Sequence, residues 1–195
     1  MLGYGLAFAN TAQKRAAEIK RLAEKGHPLI GIEPVVQAME SSEYGGHDAA
    51  LSAVQSIDRF LEHEIAAGRI AKNTTPGDSG VWRLFSHCTE KASDPLSPQR
   101  WKTIFAHFRL NLEPSATGCC GMAGTFGHER EHAAMSEKLY DLSWRGPIAE
   151  AGGRALATGF SCRCQVKRFS GERAPHPVEL LAATLARDPR SLRWR

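Results

Sequence analysis

Apolar residues recur at helical spacing along several stretches of the chain and gather into short runs between them. From Ala9 to Lys25 the positions Ala12, Ala16, Ile19, Leu22 and Ala23 fall on one helix face, with Lys, Arg and Glu between them, and Gly26 closes the pattern. Pro28 then introduces Leu29-Ile30-Gly31-Ile32, a run the size of a buried parallel strand, which Glu33-Pro34 stops. Leu51 to Ala67 is again helical through Leu51, Val54, Ile57, Leu61 and Ile65, whereas Val35 to Tyr44 carries no decisive period. Lys72 to Gly80 has the composition of a loop.

From Val81 onward a strand leading into a cysteine-bearing segment occurs three times. Val81 to Phe85 predicts a strand that runs into Ser86-His87-Cys88. Ser97-Pro98 opens a helix through Phe108 with Trp101, Ile104, Phe105 and Phe108 on its core face. Leu110 to Pro114 predicts a second strand, leading into Thr117-Gly118-Cys119-Cys120-Gly121. A helix from about Glu129 to Trp144 precedes a strand at Ala155 to Thr158 and the segment Gly159-Phe160-Ser161-Cys162-Arg163-Cys164. His176 to Arg187 makes a closing helix, and Arg190 to Arg195 reads as a frayed basic tail. Helices alternating with short apolar strands, without Asn-Gly hairpin signals, predict an α/β fold: a Rossmann-like layered domain with a mostly parallel sheet flanked by helices, one domain over 1–195.

Composition narrows the function classes. The 195 residues are 42% hydrophobic and 24% charged, enough for a buried core. Twenty-five Lys and Arg against 21 Asp and Glu leave +4, spread thinly, so no basic stripe tracks phosphates and no nucleic-acid partner is expected. Mean hydropathy is −0.34, and no stretch approaches the roughly 18 apolar residues of a membrane span. Met1 to Asn10 lacks a leading Lys or Arg and passes at once into a charged amphipathic helix, which argues against a secretory signal. The expectation is a cytoplasmic protein, at most peripheral at the inner membrane face.

Five cysteines in a reducing compartment point to metal ligands or catalytic thiols rather than disulfides, and an odd count resists full pairing. Each cysteine segment follows a predicted strand, and loops beyond the carboxyl ends of parallel strands converge on one crevice, so a single crevice has room for all five thiols. Thirty residues separate Cys88 from Cys119, 41 separate Cys120 from Cys162, and one lies between Cys162 and Cys164. Only a folded domain closes such gaps. Thiolates suit iron–sulfur clusters or zinc, and spacing favours neither. Gly118 and Gly121 flank the vicinal pair and let backbone approach a bound centre closely, though glycine there is also ordinary turn punctuation. The series Gly118, Gly121, Gly124 and Gly127 lacks the Lys-Ser/Thr of a nucleotide loop and reads as close packing. His128 and Glu129 are candidates for proton transfer or for orienting a ligand, against the alternative of a capped turn and a helix start; His87 is a candidate extra ligand or base beside Cys88.

The strings TGCCGMAGTFGHE (Thr117 to Glu129), SHCTEK (Ser86 to Lys91) and ATGFSCRCQVKR (Ala157 to Arg168) resemble the carboxyl-terminal cysteine-rich CCG region of FAD-binding and iron–sulfur-binding oxidases. These are large D-2-hydroxyacid dehydrogenases, including bacterial D-2-hydroxyglutarate dehydrogenases, distantly similar to the iron–sulfur component of glycolate oxidase and to a cysteine-rich component of heterodisulfide reductase. The resemblance extends to HPLIGIEP (His27 to Pro34) and LYDLSW (Leu139 to Trp144), nearly the whole chain. It implies a CCG domain in which Cys88, Cys119, Cys120 and Cys162 ligate a [4Fe–4S]-type cluster or zinc. Where related proteins end in Cys-x-x-Cys this chain has Cys162-Arg163-Cys164, which leaves open whether Cys164 is a further ligand.

Nothing here resembles the flavin-binding domain, and there is no ferredoxin-type cysteine run. FAD therefore belongs to a partner dehydrogenase chain or to another domain of a longer enzyme, and no activity is expected of this chain alone. Two rival readings stand beside this one. One is a zinc-bearing scaffold that docks a flavoprotein; the other is an enzyme with Cys120 as nucleophile and His87 or His128 as base.

Overall fold

A computed structural model describes residues 5–44, 53–72 and 79–187. The chain is mixed α/β, with small parallel sheets flanked by helices, and it divides into two compact units, Met1–Phe60 and Leu61–Arg195.

The first unit contains α1 (Gly5–Ala23), β1 (Ile30–Gly31), α2 (Pro34–Ala38) with a π-helical turn at Met39–Tyr44, β2 (Gln55–Ser56) and the start of α3 (Ile57–Ala66). α1 buries Ala12, Ala16 and Ile19, three of the positions the periodicity singles out, against Val54 with Leu29 and Met39 alongside. Pro34 begins α2, where its fixed φ suits a first helical turn. Arg15 reaches the buried Glu40 of the π-helical turn at 2.8 Å. The helix expected from Leu51 is a correction: Gln55 and Ser56 pair in parallel with Ile30 and Gly31, and α3 starts only at Ile57. Strand pairing, with the Gln55 N–H donating to Leu29 O at 3.0 Å, overrides the helical period there; Leu51 itself lies outside the described residues.

The second unit continues with β3 (Val81–Phe85), α4 (Cys88–Ser93), α5 (Ser97–His107), β4 (Asn111–Pro114), two 3₁₀ turns (Phe126–His128 and Arg130–His132), α6 (Ala133–Ser143), α7 (Arg145–Ala151), β5 (Ala155–Ala157), α8 (Phe160–Ser170) and α9 (Pro177–Arg187). β3 is the middle strand of a parallel sheet ordered β4-β3-β5. Leu84 lies opposite Pro114, and Phe85 lies opposite Ala157, so all three strands end along one edge. The core beneath that edge joins Phe85, Met122, Tyr140, Trp144, Ile148, Ala157 and Val166, with the Phe85 and Trp144 rings 5.2 Å apart. α5 buries Trp101, Ile104 and Phe105, and Phe108 follows just past its end, all on the expected face.

α4, α7 and α8 are not among the elements expected from periodicity, and α6 starts four residues later than expected because the 3₁₀ turns precede it. The basic tail from Arg190 lies outside the described residues, as does most of the Lys72–Gly80 loop. No helix among the described residues is long and apolar enough to cross a membrane.

Candidate functional site

The shared strand edge hands over three cysteine-bearing segments. Past β3, His87 caps α4: its Nδ1 accepts from the Thr89 N–H at 3.1 Å, while its own N–H donates to Glu90 Oε2 at 3.2 Å and to Thr158 Oγ1 at 2.9 Å. The Thr158 hydroxyl donates to Glu90, and Ser97 Oγ donates to Glu90 Oε1 at 2.5 Å. Buried Glu90 thus joins the segment after β3, which carries Cys88, to the segment after β5, which carries Cys162.

Gly159 precedes the first turn of α8 and offers it no side-chain cap. A Cβ at Gly159 would lie 2.3 Å from His87 Cδ2, so glycine is required by close approach. Cys162 sits in the first turn of α8, buried, and Ser161 Oγ lies 3.2 Å from His87 Nε2.

Past β4, Ser115 extends the ladder by donating to Leu84 O at 2.8 Å, and Lys91 Nζ donates to Thr117 O. Gly118 is tied to the junction of α6 and α7, its N–H donating to Ser143 Oγ at 3.2 Å and its carbonyl accepting from Trp144 Nε1 at 3.0 Å. Gly121 has φ +86°, and a Cβ there would lie 2.3 Å from Ser136 O, so the chain turns after the cysteine pair only with glycine at this position. The Gly121 N–H donates to Cys119 Sγ at 3.3 Å.

The four thiols at this edge act on one another. The Cys162 thiol donates to Cys120 and draws its pKa down from 9.0 to about 7, burial working in the opposite direction. Cys162 is pushed well up by the same hydrogen bond and by burial. Burial also raises Cys119, against the Gly121 N–H, and Cys119 engages both Cys88 and Cys120. Cys88, Cys119, Cys120 and Cys162 are therefore brought together. Cys164, two residues past Cys162, leaves a different side of α8 and packs half-buried against the core cluster that includes Cys120 and Cys162.

Burial lowers the His87 pKa, and Lys91 lowers it further. Both of its ring nitrogens are engaged, by Thr89 and Ser161. His128 and Glu129 lie exposed on the 3₁₀ turns, where Glu129 accepts from Thr125 Oγ1 at 3.1 Å and pairs with His132 Nδ1 at 2.9 Å. No contact among the described residues ties either one to the thiols.

Among the described residues no three or more His, Cys, Asp or Glu side chains stand as a preformed metal-holding group; in the thiol form the sulfurs satisfy one another. The donor set nonetheless fits a thiolate-bound centre. Four thiols engage one another there, one of them with its pKa drawn down to about 7, a donor set of the soft kind that thiolate centres use. Each cysteine segment also carries a buried polar atom with no partner among the described residues: Ser86 Oγ, Thr117 Oγ1 and Gln165 Oε1. The two hydroxyls are donors that thiolate or sulfide sulfur can accept.

The motif strings contain Glu90, Thr158 and Gln165 but give them no role, and Ser136 lies outside them. A His-x-x-Glu capping pattern at 87–90 was the one local signal available, for Glu90.

The chain is similar to a part of D-2-hydroxyglutarate dehydrogenases. It is 39% identical to the D-2-hydroxyglutarate dehydrogenase of Pantoea ananatis over 181 residues, 92% of this chain and 18% of that protein. With the enzyme of the same name from Escherichia coli K12 the identity is 38% over 183 residues, again 92% of this chain and 18% of that protein. A subunit of the anaerobic glycerol-3-phosphate dehydrogenase of Escherichia coli K12 is 35% identical over 78 residues, 40% of this chain and 19% of that protein. The chain thus spans less than a fifth of the length of the curated relatives it matches. No protein-family model matches the chain, and no solved structure matches it.

Proposed function

We propose that this chain is the cysteine-rich, CCG-type module of a D-2-hydroxyglutarate dehydrogenase-like flavoenzyme, in which Cys88, Cys119, Cys120 and Cys162 hold an iron–sulfur centre. The observation that carries the reading is the meeting of these four thiols at one sheet edge, with Cys120 held near a pKa of about 7. A bound cluster would supply one-electron uptake and release, which suits it to pass electrons away from a flavin. FAD and the 2-hydroxyacid belong, in this reading, to the rest of a longer enzyme or to a partner chain.

This chain's own residues would present the ligands and insulate them. Glu90 and Thr158 hold the Cys88 and Cys162 segments together, and Gly121 turns the chain away after Cys120. The core under the site, Phe85, Met122 and Trp144, keeps water from its buried side. The nucleophile reading has less support, because both nitrogens of His87 are engaged elsewhere and His128 is exposed.

The test is metal analysis of the chain after anaerobic reconstitution with ferrous iron and sulfide. Iron and sulfide in about 1:1 ratio, lost in Cys120→Ser and Cys162→Ser, is the expected result. Stoichiometric zinc that iron does not displace would turn the reading to the scaffold, and a folded chain that takes up neither metal would overturn both.

A further inference from the structure

Gln165 lies in α8 three residues past Cys162, so the two side chains leave the same side of the helix. It is fully buried. Its amide nitrogen donates twice, to Cys120 O at 3.0 Å and to Ser136 Oγ at 2.8 Å, and Ser136 Oγ in turn donates to Gly121 O at 2.8 Å. Chemistry fixes the direction of every bond. A carbonyl oxygen only accepts, so the group facing Cys120 O is the NH₂, and the Ser136 proton spent on Gly121 leaves a lone pair for Gln165. Both carbonyls of the Cys120–Gly121 turn are thereby tied, one directly and one through Ser136, to the helix that carries Cys162.

We infer that Gln165 is a positioning residue that sets where the Cys120 sulfur stands relative to Cys162, so that α8 supplies one thiol and the brace for another. Its Oε1 stays buried without a partner among the described residues. A side chain present only to fill space would be better served by methionine or leucine, which leave no buried acceptor unmatched. The inference goes beyond the metal reading, because the brace acts on thiol placement whether or not a centre is bound.

The test uses the full chain, metal-free and reduced, treated with the short dithiol reagent dibromobimane and mapped by peptide mass spectrometry. The readout is the yield of Cys120–Cys162 cross-links relative to Cys88–Cys119 cross-links, a ratio that general loosening of the fold leaves largely unchanged. Gln165→Met, which keeps volume and removes both donors, is expected to lower the ratio about fivefold or more, from loss of two buried hydrogen bonds. Ser136→Ala, which cuts only the Gly121 arm, is expected to lower it about twofold. An unchanged ratio in Gln165→Met overturns the inference. Should that variant fail to fold, an unchanged ratio in Ser136→Ala does the same. A wild-type chain that takes up no iron would end the metal reading and leave this one standing.

Discussion

Two of the four converging thiols are borne by helices and two by a loop, and the two pairs are held by different physics. Cys88 opens α4 and Cys162 lies in the first turn of α8, each placed by the strand that precedes it and by helix geometry. Even these two differ. α4 closes its amino end with the His87 and Glu90 capping box, whereas α8 is preceded by a glycine that offers no side-chain cap and that His87 crowds. Cys119 and Cys120 have no helix to orient them. Their turn hangs on Gly121, on Ser143 and Trp144 around Gly118, and on Ser136 and Gln165 around Cys120. Helix-borne thiols are thus oriented by helix geometry and joined to each other through Glu90 and Thr158, whereas loop-borne thiols, with no helix of their own, depend on hydrogen bonds from distant parts of the chain alone.

The strongest way to break the loop side of this comparison is Gly121→Ala. A side chain at φ +86° costs about 1–2 kcal/mol, and its Cβ would press on Ser136 backbone, which cannot swing away. A loss of about 3 kcal/mol in urea unfolding of the metal-free chain is expected; a loss below about 0.5 kcal/mol would mean that the turn is not built this way. Next comes Glu90→Gln on the helix side. The carboxylate accepts from His87 N–H, Thr158 Oγ1 and Ser97 Oγ, and an amide would set a donor against those donors. About 2 kcal/mol of destabilisation follows, and Cys88 should become more reactive to alkylation.

The thiol equilibrium sharpens the comparison without changing stability much. In metal-free protein Cys120 should alkylate with a midpoint near pH 7, the thiolate gaining as pH rises through that value, because Cys162 donates to it. Cys162→Ala removes that donor and should return the midpoint toward 9.0. His87 gives a smaller effect on the helix side. Its pKa is held below 6.5, so the folded chain refuses a proton that the unfolded chain accepts. Stability should be full above pH 6.5 and fall as pH drops through the lower folded-state value; His87→Asn, which can still cap α4, should flatten that decline when melting temperature is followed against pH. The smallest effect belongs to Cys164→Ser, expected to change stability by under about 1 kcal/mol and to leave metal uptake unchanged.

Much of this arrangement is legible in the residues. The periods of α1, α5 and α9 and the runs of β3, β4 and β5 predict elements that the fold contains, and the order strand-then-cysteine places Cys88, Cys119, Cys120 and Cys162 at one edge. Other elements are not legible. α8 escapes the pattern because Phe160 to Ser170 has neither a capping residue nor a clean apolar stripe, and Arg, Lys and Gln interrupt it. β2 is hidden inside a helical period because pairing with β1 decides its conformation.

Local chemistry in the chain determined the class of the fold, the sheet edge and the residues that meet there, since propensity, periodicity and turn residues act between near neighbours. The tertiary structure alone decided which thiol is acidic and that Glu90 and Gln165 hold the site. The physical reason is separation along the chain. Thr158 reaches Glu90 across 68 positions and Gln165 reaches Cys120 across 45. Hydrogen bonds of that span exist only once the chain has folded.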